Sequence, residues 1–155
     1  MNDPRVIDVT CGGRMMWFDK SNEDAVFCDR RQMDSGGIAQ QPGFSVAPDQ
    51  VCDFTNLPFD DESFYLAVFD PPHAHINESS IIGKKYGSLG DDWREDISKG
   101  FLECFRVLKS NGVLVFKWAE TSVGIKEVIA LAPKSPLFGH TTAKSGKTKW
   151  VTFIK

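Results

Sequence analysis

Residues Ser63–His73 read SFYLAVFDPPH, and this stretch decides the fold. Its first seven residues form an apolar run of strand length, without the polar alternation of a half-exposed strand. Such a run suits a strand covered on both faces, as in a parallel sheet. Asp70 closes it, and Pro71 and Pro72 follow. Two prolines cannot continue a helix and supply no backbone N–H, so the chain must turn there. The expected element is a strand over Ser63–Asp70 that delivers an acid to its carboxyl end.

Upstream, Arg5–Thr10 (RVIDVT) is a short β-branched run ending at Cys11-Gly12-Gly13, which reads as a strand feeding a glycine loop. Ala25–Asp29 (AVFCD) reads as a second strand ending in an acid, and Gln50–Phe54 as a third. The segment between them, Arg30–Pro48, is rich in Gly, Gln and Pro and reads as loop. Downstream, His73–Gly90 is a polar loop of unusual length, the kind that tends to carry function.

Asp91–Lys109 has apolar residues at helical spacing (Trp93, Ile97, Phe101, Leu102, Phe105, Leu108), an acidic start and an Asn111-Gly112 stop. Val113–Trp118 is a further buried-type strand, and Thr121–Leu131 a short helix ahead of Pro133 and Pro136. Leu137–Thr142 and Thr148–Ile154 read as a hairpin turning through 143–147. Strands alternating with helices and a terminal hairpin predict an α/β, Rossmann-like, doubly wound sheet. Ligands in such sheets sit at the carboxyl ends of the strands, where Asp8–Gly13, Asp29, Asp53 and Asp70 fall.

A chain of 155 residues, 41% apolar and 25% charged, suits one domain spanning 1–155 with a real core and no separate target-recognition domain. No apolar run approaches the roughly eighteen residues of a membrane span. The start, MNDPRVIDVT, lacks a basic segment followed by an apolar one, so a secretory leader is not expected. Cys11, Cys28, Cys52 and Cys104 are scattered without a CxxC pair. They read as reduced thiols in a cytoplasmic protein rather than as a zinc site. The net charge of −3 argues against sequence-independent coating of DNA. From Lys126 to Lys155, however, six lysines stand against the single Glu127, a local balance of +5 that suits either a phosphate backbone or a solvated face.

Gly12 and Gly13 let the backbone approach a ligand closely, and Asp8 can accept hydrogen bonds from a ligand amine. A full GxGxxG phosphate loop is absent, which disfavours a dinucleotide and a nicotinamide oxidoreductase. Asp29 is placed to take both hydroxyls of a ribose. Asp53 with Phe54 can cradle a purine ring. Asp70-Pro71-Pro72-His73 is the most specific element. An aromatic amine is a poor nucleophile because its lone pair is delocalised into the ring. A carboxylate (Asp70) and a carbonyl (Pro71) can each accept one N–H, holding the nitrogen closer to tetrahedral with its lone pair aimed at the incoming group. Pro72 rigidifies the turn, and the His73 ring can stack on a base.

Asp8-Val9-Thr10-Cys11-Gly12-Gly13, Asp29, Asp53 with Leu57-Pro58-Phe59, Asp70-Pro71-Pro72-His73 and Arg106–Gly112 together resemble the class I S-adenosylmethionine-dependent methyltransferases. Within them the chain is similar to the small amino-methyltransferases with an Asp-Pro-Pro-aromatic motif, often encoded by phages or prophages. The resemblance spans nearly the whole chain. It implies a seven-stranded sheet with an antiparallel last strand and S-adenosyl-L-methionine as cofactor. It places the methionine part at Asp8 and Gly12, the ribose at Asp29, the adenine at Asp53, and the target amine at Asp70–His73. The implied activity is methyl transfer to the exocyclic amino group of a nucleobase, adenine before cytosine, with DNA favoured over RNA as partner. Cys11 stands where a glycine is frequent, and His73 where Tyr, Phe or Trp is.

Other readings stay open. The same fold serves small-molecule and protein methyltransferases. The rival from a different class is a non-catalytic subunit docked on a partner methyltransferase, and assembly as a homodimer or with a partner subunit stays open. His73 and His75 with Asp70 could be read as metal ligands, but stacking by His73 is the preferred reading and no metal is expected. Lys84-Lys85-Tyr86 could contact phosphate and a base, and Lys117 and Trp118 border the expected cleft by sheet position.

Overall fold

The apolar run of residues 63–69 lies at the centre of a seven-stranded sheet. The structure, a computed structural model, describes residues 4–142 and 144–155. The strands are β1 (Val6–Asp8), β2 (Ala25–Asp29), β3 (Gln50–Val51), β4 (Phe64–Phe69), β5 (Leu108–Ala119), β6 (Phe138–Thr142) and β7 (Thr148–Ile154). Their order is β3-β2-β1-β4-β5-β7-β6. The first five pair in parallel; β7 runs antiparallel to both β5 and β6. This is the expected α/β, Rossmann-like sheet with its terminal antiparallel hairpin. Of the predicted hairpin turn, Ala143 lies outside the described residues, as do Met1–Asp3 of the amino-terminal segment.

The described helices are α1 (Ile81–Tyr86), α2 (Trp93–Val107) and α3 (Ile125–Ile129). On α2, Trp93, Ile97, Gly100, Phe101, Cys104 and Phe105 form a buried stripe, while Glu95 and Asp96 complement the helix dipole in the first turn. The stripe packs on one sheet face, where Phe101 lies 5.6 Å from Phe69 and 4.8 Å from Phe116 between ring centroids. Gly100 makes the close approach possible: a Cβ there would stand 2.6 Å from Phe69 and 2.8 Å from Phe54. α3 adds Val128 to the same core and is tied to α2 by the Arg94–Glu127 ion pair.

The opposite face is covered differently. Over β1 and β2 lie Trp17, edge-on to Phe27 at 4.7 Å, and the Arg14 guanidinium, 3.8 Å above the Phe27 ring centroid. These come from the loop after β1, not from a helix. Towards β7 that face is only half-buried, with Val113, Val115, Trp150 and Thr152 partly exposed.

Two expectations shift in detail. The loop His73–Gly90 contains α1, a short helix whose N-cap is Ser80, its hydroxyl accepting from Gly83 N–H. And α2 stops at Val107, before the Asn111-Gly112 signal. The chain extends at Leu108, turns through Asn111 (φ 64°) and resumes pairing with β4 at Val113. Lys155 Nζ donates to the Leu108 carbonyl at 2.6 Å, satisfying an acceptor at that helix end.

Candidate active site

Register places the key side chains. Phe69 on β4 pairs with Phe116 on β5, and both rings point into the α2 core. The next residues on each strand, Asp70 and Lys117, therefore emerge side by side on the other face. They meet as an ion pair, Lys117 Nζ to Asp70 Oδ2 at 2.6 Å. The Asp70 backbone N–H donates to Thr10 Oγ1 at 2.8 Å, so the loop after β1 fixes the start of the Asp-Pro-Pro turn.

Above this pair opens a cavity of about 360 Å³, within the range that holds small ligands. Its walls include Thr10, Cys11, Gly12 and Gly13 from the first loop, Asp70, Pro71 and His73 from the turn after β4, and Lys85 and Tyr86 from α1. Arg31, Lys117 and Thr148 are among its other walls. An adjoining cleft is lined by Asp29, Phe54, Pro72 and Tyr86. Of the residues singled out in the sequence, Thr10, Cys11, Gly12, Gly13, Asp29, Phe54, Asp70, Pro71, Pro72 and His73 thus line these two adjoining pockets, which share Thr10, Arg31, Asp70 and Tyr86.

Asp8 and Asp53 line neither. Asp8 is fully buried beneath the first loop. Its Oδ2 accepts from Trp17 Nε1 at 2.7 Å and its Oδ1 from Thr10 N at 3.2 Å. Burial pushes its carboxyl up to about 7, even though both N–H donors favour the charged form. Asp53 lies beyond the end of β3, where its Oδ1 accepts from the backbone N–H and hydroxyl of Thr55, as in an Asx turn.

The glycines have local reasons as well. Gly12 adopts φ +49° and donates its N–H to Asp29 Oδ2 at 3.0 Å. A Cβ on Gly13 would stand 2.6 Å from the Phe44 ring. Cys11 is buried, which raises its thiol to about 12 and leaves it unreactive near neutral pH.

Asp29 is held more tightly than its sequence position suggests. Arg31 donates through Nε to Oδ1 and through Nη2 to Oδ2, each at 3.1 Å, and its backbone N–H adds a third bond at 2.9 Å. The same guanidinium reaches the carbonyls of Lys84 and Lys85 on α1 through Nη1, at 3.3 and 3.1 Å. Arg31 therefore ties the end of β2 to the loop that follows the Asp-Pro-Pro turn. No sequence signal marked this joint, because its partners on α1 lie more than fifty residues away.

His73 packs edge-on to Trp118, with centroids 6.1 Å apart and planes at 72°. Burial lowers its pKa, with the nearby Asp70 charge opposing, so the ring is neutral at physiological pH. The His75 ring turns away, its Nδ1 lying 3.3 Å from the Leu89 carbonyl. Among the described residues no three His, Cys, Asp or Glu side chains converge as metal ligands. No described helix is long and apolar enough to cross a membrane.

No protein-family profile matches the sequence, and no curated protein matches it. Solved structures do match in fold. A protein of Pyrococcus horikoshii superposes with TM-score 0.62 at 15% identity, covering 99% of this chain and 82% of that one. A SAM-dependent methyltransferase of Methanosarcina mazei gives 0.56 at 14% identity, covering 100% and 93%. The 1,6-didemethyltoxoflavin-N1-methyltransferase of Burkholderia thailandensis, solved with its substrate and S-adenosylhomocysteine, gives 0.61 at 12% identity, covering 99% and 72%. By strand order, antiparallel last strands and these superpositions, the chain has the fold of the class I S-adenosylmethionine-dependent methyltransferases.

Proposed function

We propose that the chain is a methyltransferase that uses S-adenosyl-L-methionine to methylate the exocyclic amino group of a nucleobase, adenine before cytosine, in DNA or RNA. The observation that carries this reading is Asp70-Pro71 at the floor of the cavity, beside the Gly12-Gly13 loop. Among the described residues only Oδ2 of Asp70 is engaged by a side chain, which leaves Oδ1 to accept an amine N–H. The Pro71 carbonyl accepts the second. The nitrogen lone pair is thereby aimed rather than strongly activated. His73, a neutral flat ring in the cavity wall, stacks on the base.

The residues present suit the cofactor, which supplies an electrophilic methyl group. The backbone of Cys11, Gly12 and Gly13 borders the methionine part, with Asp8 supporting that loop from below. Asp29 receives the ribose, its hydroxyls taking the place of the Arg31 guanidinium. Phe54, with Asp53 beside it, flanks the adenine. The bound cofactor would supply the methyl group, and Asp70 or solvent would take the one proton that the amine gives up as its nitrogen gains that group.

The whole chain acts here as one methyltransferase unit in the cytoplasm. Selection of the target then falls to the loop 73–90, to the lysines after Lys126, or to a partner subunit. A second reading, methylation of a free heteroaromatic small molecule, is favoured by the likeness to the Burkholderia enzyme.

Transfer of labelled methyl onto duplex DNA, single-stranded DNA, total RNA and free nucleosides, with the product identified by mass spectrometry, tests both readings. A methylated adenine in a polymer is the expected product. Label confined to free heterocycles would favour the small-molecule reading. No label on any ring amine would end the nucleobase reading.

A further inference from the structure

We infer that Lys117 is a specificity-determining residue that reads the ring nitrogen beside the target amine, so that the site selects a neutral amine with an adjacent acceptor. The inference rests on the nucleobase reading and narrows it. Three observations carry it. Lys117 Nζ stands 2.6 Å from Asp70 Oδ2, and both side chains line the cavity. The Phe69–Phe116 register and the Asp70 N–H bond to Thr10 hold the pair in place. And the ammonium, with three N–H donors, has Asp70 as its one protein acceptor among the described residues, while the Trp150 ring lies 5.7 Å away on its other side.

The cavity floor therefore presents a spare acceptor, Asp70 Oδ1, next to spare donors on Lys117. The complementary ligand edge is a donor beside an acceptor. Adenine offers its amino group with N7 beside it, or N1 on the other flank; cytosine offers its amino group beside N3. The O6/N7 edge of guanine places two acceptors there and leaves Asp70 facing an acceptor. An aliphatic amine is an ammonium ion at neutral pH. Lys117 repels that charge, and a protonated amine has no lone pair to receive a methyl group. The pair thus favours aromatic amines over alkyl amines, which Asp70 alone, an anion, would not do.

The test uses mixed-sequence polynucleotides in which every adenine is adenine, 1-deazaadenine or 7-deazaadenine. If cytosine is the base methylated, 3-deazacytosine takes their place. Labelled-methyl transfer is followed for the wild type, K117M and K117Q. The wild type should lose about tenfold in kcat/KM on the analogue lacking the ring nitrogen that Lys117 reads. K117M should fall about tenfold on the natural base and no longer distinguish it from that analogue. K117Q, which retains an N–H donor, should keep part of the discrimination. Equal rates for the wild type on all analogues overturn the inference without reference to any variant. So does unchanged discrimination in K117M, or methylation of spermidine by the wild type at a comparable rate. Absence of label on every base would overturn the nucleobase reading itself, and this inference with it, whereas the preceding outcomes leave that reading intact.

Discussion

Asp8 carries a charge problem that the rest of the site does not share. It sits without solvent exposure between Trp17 and Thr10, with Asp29 and Asp70 close enough to raise its pKa further. Its carboxyl is pushed from 3.8 to about 7. Below about pH 4 the group is protonated folded and unfolded alike, and it costs nothing. Between about 4 and 7 the unfolded chain releases the proton while the folded chain keeps it, so stability falls as pH rises and the loss is complete above about 7. The upper bound on that loss is about 4 kcal/mol. Asp8→Asn keeps an oxygen for Trp17 and removes the titration. In urea unfolding followed from pH 4 to 8, the wild type should lose ground to the variant as pH rises. A constant difference between them would show that Asp8 titrates normally. The carboxylates were legible in the sequence because each lies at or near the end of a strand-like run. Their partners were not: Trp17 meets Asp8 only through the packing of the first loop, the reach of Arg31 from Asp29 to α1 spans more than fifty residues, and Lys117 could be placed near the cleft only by its position on β5.

At the scale of elements, Arg31 is the joint between the β2 end and the loop 73–90. Its guanidinium spends two donors on Asp29 and one on the last carbonyls of α1. Arg31→Ala should loosen α1 without unfolding the sheet. Amide exchange of residues 81–86 should rise about five- to tenfold, the scale of a lost charged hydrogen bond that is partly open to water, with strand amides unchanged. Unchanged exchange in α1 would mean that other contacts hold it. α1 itself escaped sequence reading because it spans a turn and a half, with Gly83 in its middle. Gly83 is explained only by the close approach of Asn77, whose carbonyl would lie 2.2 Å from a Cβ. The continuous apolar run of β4 and the stripe on α2 were legible, because each repeats a burial pattern over several residues. Strand β3 was read too long: the ladder holds only Gln50–Val51, and the chain then bends so that Asp53 can bond Thr55.

Over the whole molecule, the helices α2 and α3 cover one sheet face, while the other is covered by loops that also build the cavity. That division puts the rigid aromatic core of Phe69, Phe101 and Phe116 directly beneath Asp70 and Lys117, and the adaptable loops above them. The basic carboxyl-terminal segment is less free than its sequence implies. Lys149 is held by Glu120, Thr141 and the Gly146 carbonyl, and Lys155 by the carbonyls of Arg106 and Leu108. These two lysines serve the fold, which shifts the expected phosphate contacts towards Lys84 and Lys85 on α1 and the remaining lysines of the segment. The central claim is that one cleft separates two tasks, cofactor binding at the first loop and Asp29, and amine positioning at Asp70. The most direct measurement is paired calorimetry and methyl transfer on Asp70→Ala. S-adenosylmethionine affinity within about threefold of wild type, with transfer reduced at least about a thousandfold, is the predicted result. Full transfer by the variant, or loss of cofactor binding together with activity, would contradict it.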